Sequence, residues 1–178
     1  MKKSIFTVVC LAGVVMPGCL FVRTTEHRIQ FHKDGGGEAM VRMIDIRSDA
    51  ESDSAVNADF RTLMDAYVER GLKDFEEPGR EVTGKRLVVR GDTLMGEITY
   101  NFVSWTNIEG LRATKDEFSI VIPAQREVVK TNGSVQDAHG GAHRIVWDRD
   151  ENRLMYQVRE LRVPPSESLA SRYVAAAR

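Results

Sequence analysis

The residues of this chain best suited to chemistry are a cysteine and the small residue before it, in the stretch Met16-Pro17-Gly18-Cys19. A charged start with Lys2 and Lys3 and an apolar core over residues 5–15 precede this stretch, a pattern typical of a secretory signal. A thiol at the first mature position can take up a diacylglyceryl group, and a small residue before it lets a peptidase reach the bond. The sequence therefore predicts cleavage after Gly18 and lipid attachment at Cys19.

This interpretation divides the chain into a signal peptide over residues 1–18, a lipid-attached tether over 19–24 and a body that follows. Met16 and Pro17 depart from the lipoprotein pattern, which usually has Leu three positions before the cysteine and a small residue two before it. Two alternatives stay open at this point, namely an uncleaved membrane anchor and secretion without lipid.

The four histidines and the acidic groups offer little further chemistry. His139 and His143 have the spacing at which two imidazoles on a helix share a metal, but Gly140-Gly141 between them predicts a loop. The acidic run Asp148, Asp150 and Glu151 lacks the glycine that a calcium loop requires. We therefore predict no metal, no cofactor and no catalytic residue. A hydrolase in which His139 or His143 meets a carboxylate is a third-ranked hypothesis.

Composition limits the partners. The chain has 178 residues, 42% hydrophobic and 29% charged, with a formal net charge of -1. After removal of a signal this leaves one ordinary domain without the concentrated basic face that nucleic acids require. Both cysteines lie in the first 19 residues, so no disulfide is expected in the body.

The elements that must carry any site begin with a hairpin. Alternation over residues 26–33 predicts a strand, Asp34-Gly35-Gly36-Gly37 supplies the turn, and 38–47 returns as a second strand. Capping residues between Ser48 and Ser54 then predict one long helix that ends at Pro78-Gly79. Its apolar stripe consists of Val56, Phe60, Leu63, Met64, Tyr67, Leu72 and Phe75.

The remainder is predicted to be strands. Residues 86–90 and 94–103 flank a turn at Gly91-Asp92, and 144–147 is expected to form a hairpin with 154–163. Residues 164–178 are predicted to be a flexible tail. The fold class is thus α+β, a mainly antiparallel sheet packed in two layers against one long helix, with the domain at 25–163.

Several apolar residues fall out of phase with the buried face of the predicted sheet. We expect them either to line an apolar ligand groove or to lie under loops. They are Val41, Met43, Val88, Val121, Val146 and Met155.

The chain also resembles a known family. The resemblance rests on Cys19-Leu20-Phe21-Val22 running into a hairpin, on residues 94–102 followed by 106–111, and on Ile120-Val121-Ile122-Pro123 leading to Thr131-Asn132-Gly133 and Ile145-Val146-Trp147. These stretches are similar to the LppM-type bacterial lipoprotein domain over nearly the whole mature chain. The resemblance implies an exported lipoprotein with a compact α/β domain that handles envelope lipids or contacts other envelope components.

The sequence thus favours a non-enzymatic lipoprotein of the cell envelope, outside the cytoplasm, anchored through Cys19 to the cell membrane or the outer membrane. Its expected partners are the membrane and an apolar or lipid ligand. Nucleic acid is not expected as a partner. The alternative is a docking module for another envelope protein without a ligand. Trp105 and Trp147 could stack on a ligand, although core packing is the commoner role of such residues.

Overall fold

A computed structural model describes residues 20–75 and 77–177. The predicted signal peptide, with Gly18 and Cys19, lies outside the described residues. Within them the fold is dominated by antiparallel sheet with two short helices, which confirms the predicted antiparallel α+β class and contradicts the single long helix.

The chain forms two sheets rather than one. In the larger sheet six strands lie in the order β3-β4-β2-β1-β10-β7, and β11 pairs with β2 beside this path; the smaller has the order β5-β6-β9-β8. The strands are β1 Leu20–Phe31, β2 Gly37–Ser48, β3 Arg80–Arg90, β4 Thr93–Phe102, β5 Arg112–Ala113, β6 Glu117–Ile122, β7 Arg126–Thr131, β8 Ser134–Asp137, β9 His143–Asp148, β10 Arg153–Glu160 and β11 Glu167–Ser168.

The two predicted hairpins of the large sheet are confirmed. β1 pairs with β2 around the glycine turn, with Phe31 opposite Gly37, and β3 pairs with β4 around Gly91-Asp92, with Arg90 opposite Thr93. Because side chains alternate along each strand, these registers give the sheet one inner and one outer face.

The predicted long helix is replaced by three shorter pieces. α1 spans Asp53–Met64 and buries Val56 and Leu63. Ser52 caps its N terminus, where the Ser52 side chain accepts a hydrogen bond from the Ala55 N–H. A π-helix at Asp65–Glu69 follows, in which the Arg70 N–H bonds to the Asp65 carbonyl. Arg70 is then extended, and a separate 3-10 turn covers Leu72–Phe75.

The helix ends early because the large sheet binds its last carbonyl groups. The Lys85 ammonium of β3 lies 2.7 Å from the Ala66 carbonyl and also bonds the Arg70 carbonyl. A cation at a helix C terminus is favourable, and Gly71, a poor helix former, comes next. The periodic apolar stripe continued past this point and so concealed the break.

The second layer covers the inner face of the large sheet from two ends. At one end Tyr67 of the π-helix packs on β2 and β4. At the other the small sheet packs on Phe31, whose ring stacks on Phe118 with centroids 4.8 Å apart and meets Phe102 edge-on at 5.7 Å.

The predicted hairpin between residues 144–147 and 154–163 is wrong. β9 pairs with β6 and β8 in the small sheet, whereas β10 pairs with β1 and β7 in the large one. The residues between β9 and β10 therefore pass from the small sheet to the large sheet. Each strand has an apolar face, and each buries that face within a different sheet.

Both predicted ends of the domain also differ from the structure. β1 begins at Leu20, which pairs with Ser48, so the range predicted as a tether already belongs to the sheet. Residues 164–177 contain β11 and a second helix, α2 at Ala170–Ala176. Leu169 is fully buried there, so this segment is part of the core.

Candidate binding site

The inner face of the large sheet is incompletely covered between its two covering layers. Two neighbouring rows of inward-facing side chains cross the central strands here. In one row Met43 lies opposite Thr25, and in the other Val41 lies between His27 and Ile98. Met43, Thr25, Ile98 and His27 are only half-buried, although they lie on central strands and face the core. We call the partly exposed patch that Thr25, His27, Met43 and Ile98 form on this face the inner cleft.

One wall of the inner cleft is formed by Tyr67. Its hydroxyl lies 3.7 Å from the Met43 sulfur, and a Cβ added to Gly96 would lie 2.6 Å from the same hydroxyl oxygen. The wide turn of the π-helix brings this ring over β4, and only glycine at position 96 leaves room for it. Burial raises the pKa of Tyr67 above its usual value, so the phenol stays neutral.

The floor of the inner cleft contains His27. Its ring stacks on Tyr156, the neighbour across the strand pair, with centroids 4.5 Å apart and planes 9° from parallel. Burial, and secondarily the charge of Arg126, lower the pKa of His27 to about 4. The imidazole is therefore neutral at physiological pH and a weak base.

Tyr156 and Tyr100 are buried on the same inner face. Burial raises the pKa of Tyr156 and raises that of Tyr100 to about 12. Rings, a thioether and aliphatic groups thus dominate this region, a lining typical of pockets for small apolar molecules.

The outer face of the large sheet carries a row of alternating charges across four strands, Arg86, Glu97, Arg42 and Glu26, in register. Arg42 Nη2 lies 2.8 Å from Glu97 Oε2, and Arg42 Nη1 lies 3.5 Å from Glu26 Oε2. Burial of the carboxyl opposes ionisation, but hydrogen bonds from Arg42 and Arg86 outweigh it and lower the pKa of Glu97.

Next to this row the outer face forms an open groove of about 730 Å³. Its exposed side chains are polar, with guanidinium, amide and hydroxyl groups above two methionines. We call this the outer groove; its lining includes Arg28, Gln30, Met40, Thr99, Asn101, Arg153 and Met155.

The six predicted groove residues do not come together in one site. Val41 is buried on the inner face next to the inner cleft, and Met43 lines that cleft. Met155 lines the outer groove, on the opposite face. Val88 lies on the outer face of β3, opposite Met95, whereas Val121 and Val146 belong to the small sheet, where Val121 is exposed. Alternation along a strand predicts which face of a sheet a residue lies on, but it does not predict which of two sheets the strand joins.

The histidines of the hydrolase hypothesis lie at the edge of the small sheet. His139 is exposed, and His143 is half-buried with Nδ1 3.6 Å from an oxygen of Asp137, which is itself fully exposed. This distance exceeds a hydrogen bond. Within residues 20–75 and 77–177 no three side chains of His, Cys, Asp or Glu converge as a metal site.

Trp147 belongs to the core. It is buried, and its indole N–H donates to Asn132 Oδ1 at 2.8 Å. The same oxygen accepts from the Met155 N–H at 2.8 Å, and Asn132 Nδ2 donates to the Arg153 carbonyl. In the sequence the pair Asn132-Gly133 indicates only a turn, whereas in the structure the Asn132 side chain joins the two sheets.

Comparisons with known proteins give no assignment. No family model matches the chain, and no curated protein or solved structure shows significant similarity to it. In the described part of the chain, neither α1 nor α2 has the length and apolar character needed to traverse a bilayer. Membership of the LppM-type family therefore stays a prediction.

Proposed function

We propose that this chain is a non-catalytic, lipid-anchored protein of the cell envelope, related to LppM-type lipoproteins, that binds an apolar ligand in the inner cleft. The observation that carries the ligand proposal is the half-buried strip of Thr25, His27, Met43 and Ile98 on central strands that face the core. Apolar surface left open inside a two-layer domain is favourable to fill, because burial removes it from water.

The chemistry of the inner cleft supports binding over catalysis. Its one ionisable imidazole stacks on a tyrosine and has a pKa of about 4, so it takes up protons poorly near neutral pH. Membrane attachment and location outside the cytoplasm rest on the sequence pattern that ends at Cys19.

The anchor is tested by metabolic labelling with a palmitate analogue in a bacterial host that processes lipoproteins. Wild-type protein should take up label and fractionate with membranes, whereas Cys19→Ser should do neither. Label in Cys19→Ser, or wild-type protein in the soluble fraction, would contradict the anchor.

The ligand is tested by solvent extraction of the purified full chain followed by mass spectrometry, since solvent removes a bound lipid but leaves acyl groups that are covalently attached. Thr25→Trp should fill the inner cleft and abolish the extracted species. Thr24→Trp, which places the same ring on the outer face of β1, is the matched control and should retain it. An empty wild-type protein would contradict the ligand proposal.

A second candidate function is docking on another envelope protein through the outer groove. It is favoured by the lining of that groove, where Arg28, Arg153, Met40 and Met155 supply residue types enriched at protein interfaces. A photo-crosslinking residue at Thr99 should then give one discrete protein adduct in intact cells, and the same residue at Val103, beyond the groove, should not. No adduct at Thr99 would argue against docking.

A further inference from the structure

The start of β1 fixes which end of the molecule lies nearest to Cys19. Leu20 is already paired with Ser48, so a cysteine at position 19 lies one residue, about 3.8 Å along the chain, from the large sheet. If Cys19 carries the acyl chains, as proposed above, almost no linker separates the sheet from the bilayer. The end of the sheet at Leu20 must then lie close to the lipid headgroups.

The segment that follows β10 lies at this same end of the large sheet. β10 runs beside β1, with Arg159 opposite Thr24, and the chain next pairs at β11, where Glu167 lies opposite Ser48. Residues 161–166 therefore pass from one side of β1 to the far side of β2, close to where β1 begins.

This segment exposes two large aliphatic side chains with a cation between them. Leu161 is 55% exposed and Val163 is 44% exposed, and Arg162 between them is also exposed. Within the described residues Arg162 has no ion pair or side-chain hydrogen bond. Aliphatic groups that insert at the acyl boundary, next to a guanidinium that reaches phosphate, are the features of an interfacial contact.

We propose that the end of the large sheet formed by Leu20 and residues 161–163 contacts the phospholipid bilayer that holds the acyl chains. Leu161 and Val163 insert between lipids, and Arg162 binds headgroup phosphate. This inference rests on the proposed lipid anchor. It adds a defined orientation, in which the strands of the large sheet run away from the membrane.

The opposite end of the sheet supplies the control. Val103 is 73% exposed and follows Phe102, which pairs with Gly37 at the far end of β2. β1 contains 12 residues, so the two ends lie on the order of 40 Å apart. A side chain at position 103 should therefore stay in water.

The test uses the full, processed chain in vesicles of phosphatidylcholine and phosphatidylglycerol. Leu161→Cys, Val163→Cys and the control Val103→Cys are each labelled with an environment-sensitive fluorophore, and quenching by brominated lipids is compared with quenching by iodide. At positions 161 and 163 we expect blue-shifted emission and quenching by brominated lipid at least about twofold stronger than at position 103. Iodide should quench the label at position 103 best.

The outcomes separate this inference from the anchor. Protein that does not float with vesicles shows that the proposed anchor fails. Protein that floats while iodide reaches positions 161 and 163 as readily as 103 overturns the orientation. Labels at 161 and 163 that are shielded from both quenchers overturn it too, because a protein surface or a second copy would then cover them.

Discussion

At the scale of single residues, Asn132 connects parts of the fold that are distant in sequence. Its side-chain oxygen accepts from the Trp147 indole in the small sheet and from the Met155 N–H in the large one. The turn pattern at Thr131-Asn132-Gly133 was visible in the sequence, but these partners were not. A turn preference depends on local backbone geometry, whereas the partners depend on how two sheets meet.

Replacing the Asn132 side chain should weaken the contact between the two sheets. Asn132→Ala leaves the buried Trp147 N–H without its partner, and we expect the free energy of unfolding to fall by about 1–2 kcal/mol, because the site is partly solvated. Asn101→Ala, at an exposed amide of the outer groove, is the control and should change stability by less than about 0.5 kcal/mol. Urea unfolding measures both; equal effects would contradict the role of Asn132.

His27 makes stability depend on pH. Its pKa of about 4 in the folded protein lies below the ordinary value of 6.5, so the unfolded chain binds the proton more readily. Stability from this group is complete above pH 6.5 and declines as the pH falls toward 4, with about 2 kcal/mol lost by pH 5. Urea unfolding at pH 7.5 and pH 5.0 should show this loss in wild-type protein and a much smaller one in His27→Phe. The same loss in both proteins would assign it to other groups.

At the scale of elements, the π-helix and the glycine beneath it form one packing unit. The apolar stripe from Val56 to Tyr67 correctly indicated a helix against the sheet, and Val56, Leu63 and Tyr67 are buried. The end of the helix after Glu69 was not predictable, because it depends on Lys85 of a later strand reaching the Ala66 and Arg70 carbonyls. Tertiary contacts of this kind override periodicity.

Gly96→Ala tests this unit. The new Cβ would lie 2.6 Å from the Tyr67 hydroxyl oxygen, so we expect a loss of about 1–3 kcal/mol of stability. Gly71→Ala is the matched control, since its Cβ meets only Asp74 at 3.6 Å in an exposed segment. Thermal unfolding of the two variants gives the comparison. A Gly96→Ala protein as stable as wild type would show that Tyr67 moves freely.

The charge row on the outer face is a second element-scale feature, and it depends on a cross-strand register that alternation within one strand does not give. Glu97 is buried between Arg42 and Arg86. We expect Glu97→Gln to lose about 1–3 kcal/mol of stability, because two arginines lose a charged partner and one of them is mostly exposed.

The control for this row is Glu81→Gln at an exposed position of β3, with a change below about 0.5 kcal/mol. Since the pKa of Glu97 is lowered, its contribution is present at neutral pH and is lost as the pH falls through that lowered value. Chemical denaturation at pH 7 measures the difference. Equal free energies of unfolding for Glu97→Gln and Glu81→Gln would mean that the charge row adds nothing to stability.

At the scale of the whole molecule, the antiparallel class and two hairpins followed from the sequence, whereas the division into two sheets did not. Period-two patterns in β9 and β10 look alike, and nothing local assigns one to each layer. The prediction of a flexible C-terminal tail is wrong for a related reason. Its small and polar residues concealed Leu169 and Ala170, which are buried against the rest of the body.

The C-terminal segment should therefore contribute to global stability. Leu169 is completely buried, and Leu169→Ala should lower the free energy of unfolding by about 2–4 kcal/mol through the cavity it leaves. Val174→Ala, at a 38% exposed position of α2, should change it by less than about 1 kcal/mol. Equilibrium unfolding distinguishes them; a negligible effect of Leu169→Ala would return residues 164–178 to the status of a flexible tail.

The position of β1 between β2 and β10 has a consequence for folding. β1 is the first described strand; β2, one of its two neighbours, follows it directly in the chain, whereas β10, the other neighbour, follows only after β9. Until β10 arrives, one edge of β1 has unpaired backbone groups that other chains could bind. Closing so long a loop is slow, so this edge of β1 stays open to aggregation until β10 has been synthesised and has paired with it.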